Sequence, residues 1–184
     1  MKKTDFELIN DKNSNVRYEV AERINIEHLP KMMNDRDDYV RYQVAKRIDP
    51  KYLPKMMKDE ESGVRWQVAE RINIEHLPKM MNDEDLAVRC QVAERIGREG
   101  GAFANEHLPK MMNDRDYYVR LEVAKRIDPK HLPKMMNDKG SGVRLEVAKR
   151  IDPKFLGEMF GVDFDPEYQK GLIKVLAERE DLKK

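Results

Sequence analysis

Two sets of basic residues recur at fixed places in this chain. Arg23, Arg47, Arg71, Arg95, Arg126 and Arg150 share one local context, and Lys31, Lys55, Lys79, Lys110 and Lys134 share another. A row of guanidiniums can hold carboxylates or phosphates, because the planar fork donates two parallel hydrogen bonds to one anion. A further set, Arg17, Arg41, Arg65, Arg89, Arg120 and Arg144, follows Asp11, Asp35, Asp59, Asp83, Asp114 and Asp138 by six residues each. Those pairs read as internal ion pairs, each arginine with the aspartate before it. His28, His76, His107 and His131 also occupy equivalent places, which Tyr52 and Phe155 take elsewhere. Substitution by aromatic rings points to half-buried packing. Imidazoles one repeat apart do not readily meet at the ~2 Å that a zinc ion requires of its ligands. Cys90 is the single cysteine, serines are few, and no nucleophile, base and orienting group stand together. The expectation is a non-enzyme without metal or cofactor.

The elements that carry these residues are repeats. Val-Arg recurs at Val16, Val40, Val64, Val88, Val119 and Val143, in steps of 24, 24, 24, 31 and 24 residues. A fixed period of this length indicates a stacked array. Numbered from its valine, every repeat has Val at 1 and 5, Ala at 6 and Ile at 9. At about 100° per residue these form one apolar arc, so positions 1 to 9 form an amphipathic α-helix. Position 2, the Asp-paired arginine, falls inside that arc and must be paired. Positions 4, 7 and 8 (Gln43, Lys46 and Arg47 in the second repeat) fall on the opposite, polar arc. Asp-Pro follows the helix at Asp49, Asp128 and Asp152, and a further proline comes at Pro30, Pro54, Pro78, Pro109 and Pro133. Proline inside an α-helix costs about 3 kcal/mol or more. The second segment of each repeat is therefore predicted as short 3₁₀ turns, with paired methionines such as Met56 and Met57 as core filler.

The string from Asp35 to Leu53, with its V-R-x-x-V-A-x-R-x-D-P-x-x-L-P pattern, resembles the leucine-rich repeat variant family. The match extends over about residues 5 to 160. The resemblance implies an all-α fold, a right-handed superhelical solenoid of about six 24-residue α/3₁₀ repeats, related to HEAT repeats. A cysteine-bound iron–sulfur cluster known in that family does not carry over to a chain with Cys90 alone.

In chain order, one repeat domain is expected over 1–184. Residues 1–15 form an N-terminal half-repeat, opened by a capping box at Thr4 and Glu7. Residues 16–160 hold six repeats, and 161–184 a capping helix that begins at Asp165-Pro166 and turns Tyr168, Leu172, Val175 and Leu176 to one face. Asp163 and Asp165 alone are weak as a cation site. The fourth repeat is longer by an insertion at 97–104. Gly100 and Gly101 argue there for a flexible surface loop, and Phe103 is its candidate contact residue.

Charged residues make up 39% of the chain, yet the net charge is +1. A nucleic-acid binder ordinarily shows a basic excess. No apolar run suits a membrane span, and the lone cysteine suits a reducing compartment, so a cytoplasmic protein is expected. The partner-binding candidates are the position-8 arginines, the position-16 lysines and Phe103. A protein or peptide partner is the first expectation. Grip on a nucleic-acid backbone by the Arg and Lys rows is the alternative, opposed by acidic neighbours such as Glu19 and Glu22. Position 3 runs Tyr18, Tyr42, Trp66, Cys90, Leu121, Leu145, with its aromatic rings in the N-terminal half. If exposed, those rings favour docking there. Removing Arg65 is expected to destabilise the fold, and removing Arg71 to matter little.

Overall fold

The computed structural model of the chain describes residues 4–160 and 165–182. Among these residues every regular element is helical. The α-helices are α1 (Asp5–Leu8), α2 (Ser14–Arg23), α3 (Asp38–Arg47), α4 (Ser62–Arg71), α5 (Leu86–Glu99), α6 (Gly101–His107), α7 (Tyr117–Arg126), α8 (Ser141–Ala148), α9 (Leu156–Met159) and α10 (Pro166–Glu178). 3₁₀ segments alternate with them at Ile26–Met32, Pro50–Lys55, Ile74–Met80, Leu108–Met111, Pro129–Lys134 and Pro153–Phe155. This is the α/3₁₀ alternation that the prolines predict. None of the described helices is long and apolar enough to cross a membrane.

Local chemistry sets the boundaries. Asp37 caps α3, its Oδ1 accepting from the N–H groups of Tyr39 and Val40 at 3.1 and 3.3 Å. The helix therefore opens two residues before its valine. It closes at Ile48, where ψ swings to 151° after a last N–H to the Val44 carbonyl. Asp49 then caps the 3₁₀ segment through the Lys51 N–H at 3.0 Å, with Pro50 in the first turn, where the missing N–H has no cost.

Val40, Val44, Ala45, Ile48, Leu53 and Met56 are all buried, and so are their counterparts Val64, Val68, Ala69, Ile72, Leu77 and Met80. Each repeat thus contributes the same short list of side chains to the core. Each large one stabilises by about 1.5–3 kcal/mol, offset by the entropy of ordering. The described residues group into two compact units, one ending at Val92 and one beginning at Ala93. In the first, α1 packs on α2, α2 on α3 and α3 on α4; in the second, α7 packs on α8 and α8 on α10.

The Thr4 capping box and the start of α10 lie where the sequence places them. Thr4 N–H donates to Glu7 Oε2 at 2.7 Å and Glu7 N–H to Thr4 Oγ1 at 3.3 Å, a complete capping box. Asp165 caps α10 through the Glu167 N–H, and Tyr168, Leu172 and Val175 are buried. Asp163 lies outside the described residues.

The insertion corrects the sequence reading. In place of a flexible loop, α5 runs past Ile96 to Glu99, and α6 starts at Gly101. Elsewhere position 10 is Asn or Asp, and at Asn25 and Asp49 its side chain caps the next segment. In the fourth repeat that residue is Gly97, with nothing to cap, so the helix continues. Gly100 and Gly101, at φ 68° and 55°, make the bend that ends it.

Candidate partner-binding surface

The position-2 arginines are buried, and Arg17, Arg41, Arg65 and Arg120 each reach two repeats. Arg17 Nε and Nη2 donate to the Asp35 carboxylate at 2.7 and 2.8 Å, while Nη1 donates to the Asp11 carbonyl at 2.8 Å. Arg41 forks onto Asp59 and the Asp35 carbonyl, and Arg65 onto Asp83 and the Asp59 carbonyl. In the second unit Arg120 forks onto Asp138 and the Asp114 carbonyl. The ladder is present, but its register differs from the sequence reading. The carboxylate comes from the aspartate 18 residues later, and the earlier aspartate supplies only its main-chain oxygen. Each aspartate also accepts the N–H two residues on, as Asp35 does from Asp37 at 2.9 Å, which sets up the next cap.

Hydrogen bonds to the aspartates hold Arg17, Arg41, Arg65 and Arg120 above the ordinary arginine value. Burial by itself would raise the Asp35 and Asp138 carboxyls. The arginine fork and the Asx N–H outweigh it and hold both below the usual carboxylate range. In the last repeat Arg144 donates to the Asp138 carbonyl at 2.7 Å and lies under the Tyr168 ring of α10, 4.4 Å from its centroid.

The position-8 arginines do not form the free row that the helical wheel suggests. Arg47 donates to the carbonyls of Ala21 and Ile24 at 2.6 and 3.0 Å, Arg71 to Ala45 at 2.6 Å, and Arg150 to Ala124 and Ile127 at 2.7 and 2.8 Å. These are the unmet carbonyls at the end of the preceding helix. Burial pushes the Arg71 and Arg150 guanidiniums down from their ordinary value. Arg23 has no complete repeat before it; it is exposed and pairs with Asp5 of the half-repeat at 2.9 Å. Arg95 is half-buried.

Arg126 follows the inserted helix. There α5 continues through Ile96, whose carbonyl accepts from Gly100 N–H. Arg126 instead pairs with Glu122 and with Glu94, the latter at 3.7 Å. Its stem lies on the helix backbone, so that a Cβ at Gly97 would stand 2.2 Å from Arg126 Cδ. Arg179, beyond the repeats, donates to the Ala148 and Ile151 carbonyls at 2.9 and 2.7 Å. It does for the last repeat what Arg47 does for the first. Sequence reasoning missed it, because no Val-Arg pair precedes it; its only signal was its place at the end of the apolar face of α10.

Lys31, Lys55, Lys79, Lys110 and Lys134 are all exposed. Lys31 Nζ sits 4.2 Å from the Phe6 ring centroid, and Lys110 lies 3.4 Å from Glu106. Phe103 is half-buried, edge-on to His107 with centroids 4.4 Å apart, and so belongs to the packing of α6. His107 is buried, and His28, His76 and His131 are half-buried. Gln43, Gln67 and Gln91 at position 4 correct a second assignment. They are buried although the wheel puts them on the polar arc.

The position-3 side chains are half-buried throughout. Beside Tyr18, Tyr39 is 69% exposed. The two tyrosines, with Ser14, Asn15 and Asp37, line an open cleft between the starts of α2 and α3.

Solved structures similar to this chain include two of note. One, described as a leucine-rich repeat variant with a novel repetitive protein structural motif, is 32% identical, with a TM-score of 0.82; 92% of this chain and 69% of that chain are covered. The other, the Escherichia coli protein YibA, is 20% identical, with a TM-score of 0.58 and 95% and 80% covered, a likeness of fold alone. No protein-family model and no curated protein matches the chain.

Proposed function

Because the chain belongs to the leucine-rich repeat variant family, we propose that it is a non-enzymatic scaffold that holds a protein or peptide partner. One observation carries this reading: the cleft between α2 and α3 presents the exposed Tyr39 beside Tyr18. Tyrosine offers a large, stiff contact area with a polar tip and is enriched at the centres of protein interfaces.

The exposed position-16 lysines support a second reading, contact with a nucleic-acid backbone. It has less behind it. Arg47, Arg71 and Arg150 spend their donors on carbonyls, and Lys110 has Glu106 close by.

The test is capture of partners from a source-cell extract by the full chain, with and without nuclease, using wild type and Tyr39→Ala. The scaffold reading expects a protein that survives nuclease and is lost with Tyr39→Ala. Capture that nuclease removes, and that charge reversal at Lys55 and Lys79 also removes, would overturn it in favour of the backbone reading.

A further inference from the structure

The cleft between α2 and α3 has a counterpart in the other unit, between α7 and α8. Position by position, Tyr117 there corresponds to Ser14, Gly140 to Asp37 and Gly142 to Tyr39. Between α7 and α8 the space is filled from within. The Tyr117 ring lies against Gly140 and Gly142 so closely that a Cβ on Gly142 would stand 2.0 Å from Tyr117 Oη, and one on Gly140 2.5 Å from Tyr117 Cδ2. Between α2 and α3 the filling ring is replaced by a serine, and the cleft stays open with about 350 Å³ of room. Its far wall has gained a carboxylate and a phenol where the other cleft has two glycines.

The lining determines what fits. Asp37 uses Oδ1 for its two cap hydrogen bonds, which leaves Oδ2 to accept another donor. Tyr18 and Tyr39 line it with aromatic rings, whose negative faces attract a cation. Ser14 and Asn15 add oxygen acceptors. The cleft is lined by first-turn residues of α2 and the cap of α3, and Asp37 with its neighbour Asp38 offsets the positive helix ends. An acidic side chain would meet Asp37 and be repelled. A purely apolar one would cover Asp37 Oδ2 without offering it a donor.

From this arrangement we infer that the α2–α3 cleft receives one positively charged side chain, arginine or lysine, of a partner polypeptide. The inference rests on the scaffold reading and names the chemistry by which the partner is recognised. The cation lies between the two phenol rings, and its N–H groups donate to Asp37. Tyr39 then marks where the partner is anchored, and the cleft filled by Tyr117 is a site that the chain has closed to it.

The test is an NMR titration of the full chain with three probes, Nα-acetyl-arginine amide, Nα-acetyl-lysine amide and the neutral Nα-acetyl-norleucine amide. The arginine and lysine probes are expected to shift the Tyr18 and Tyr39 ring signals saturably, and norleucine is not. Asp37→Asn keeps the helix cap, since asparagine caps as well as aspartate, and is expected to weaken binding threefold or more without moving the thermal midpoint. Tyr39→Ala, at an exposed position, is expected to abolish saturation. Equal shifts with norleucine, no shift with the arginine probe, or unchanged affinity in Asp37→Asn would each overturn the inference. The titration needs no natural partner. A negative result therefore removes the cation cleft and leaves the scaffold reading to the capture experiment.

Discussion

Arg47 Nη1 lies 2.6 Å from the main-chain oxygen of Ala21, 26 residues earlier in the chain. The charged side chain of one repeat thereby finishes the helix of the repeat before it. A half-buried, charge-assisted hydrogen bond of this kind contributes about 1.5–3 kcal/mol. Arg71→Ala is therefore expected to lower unfolding free energy by about that amount in urea denaturation. Arg23→Ala, which loses a solvent-exposed ion pair, is expected to leave the midpoint nearly unchanged. Equal midpoints for the two variants would remove the capping role.

The ladder makes a separate prediction about register. Arg65→Ala leaves the buried Asp83 carboxylate without its fork, and breaking such a pair costs about 3–5 kcal/mol. In double-mutant cycles Arg65 should couple strongly to Asp83 and only weakly to Asp59, whose contribution to Arg65 is a main-chain oxygen. Arg65→Lys should recover little, because an ammonium cannot make the two-pronged bond.

Acid tests the same pairs. Asp35 and Asp138 titrate below the ordinary value in the folded chain. Their contribution to stability is thus fully present above the unfolded carboxyl value of about 3.9 and is lost as pH falls through the folded value. Urea midpoints should be flat from pH 6 to about 5 and fall steeply below about pH 4. Asp35→Asn should shrink that fall. A midpoint that rose on acidification would contradict the assignment.

Gly97→Ala tests the inserted helix. The added Cβ meets the Arg126 stem, and overpacking of this kind costs about 1–3 kcal/mol. In an Arg126→Gly background, which also removes the Arg126 Cβ that would stand 2.6 Å from the new one, the same change should reverse sign, since alanine is favoured over glycine in a helix by about 1 kcal/mol. Thermal melts of the four variants would show the reversal or its absence.

Much of this architecture can be read from single repeats. The prolines at 50 and 54 announce the 3₁₀ segment, and the wheel position of Arg41 announces its burial. What failed did so because the deciding partner lies elsewhere in the chain. The wheel treats Arg47 as a point on a cylinder and does not know that Ala21 and Ile24 offer carbonyls alongside. Arg41 has an aspartate both before and after it, Asp35 and Asp59, and spacing cannot choose between them. At the insertion, the glycines drew attention to flexibility. The informative residue was Gly97, which removes a cap and lets the helix continue. The open cleft at Tyr39 emerges only by comparing one repeat junction with another in three dimensions.

The backward reach of these arginines gives assembly a direction. During synthesis a repeat helix such as α2 leaves the ribosome with its last carbonyls unmet, and they stay so until Arg47, 26 residues behind Ala21, has emerged. A chain that has grown as far as α2 therefore carries one incomplete rung at its newly made end. Arg179, at the C-terminal end of α10, satisfies Ala148 and Ile151 in the same way. In this chain the punctuation that ends the array is one arginine set on a helix of a different kind.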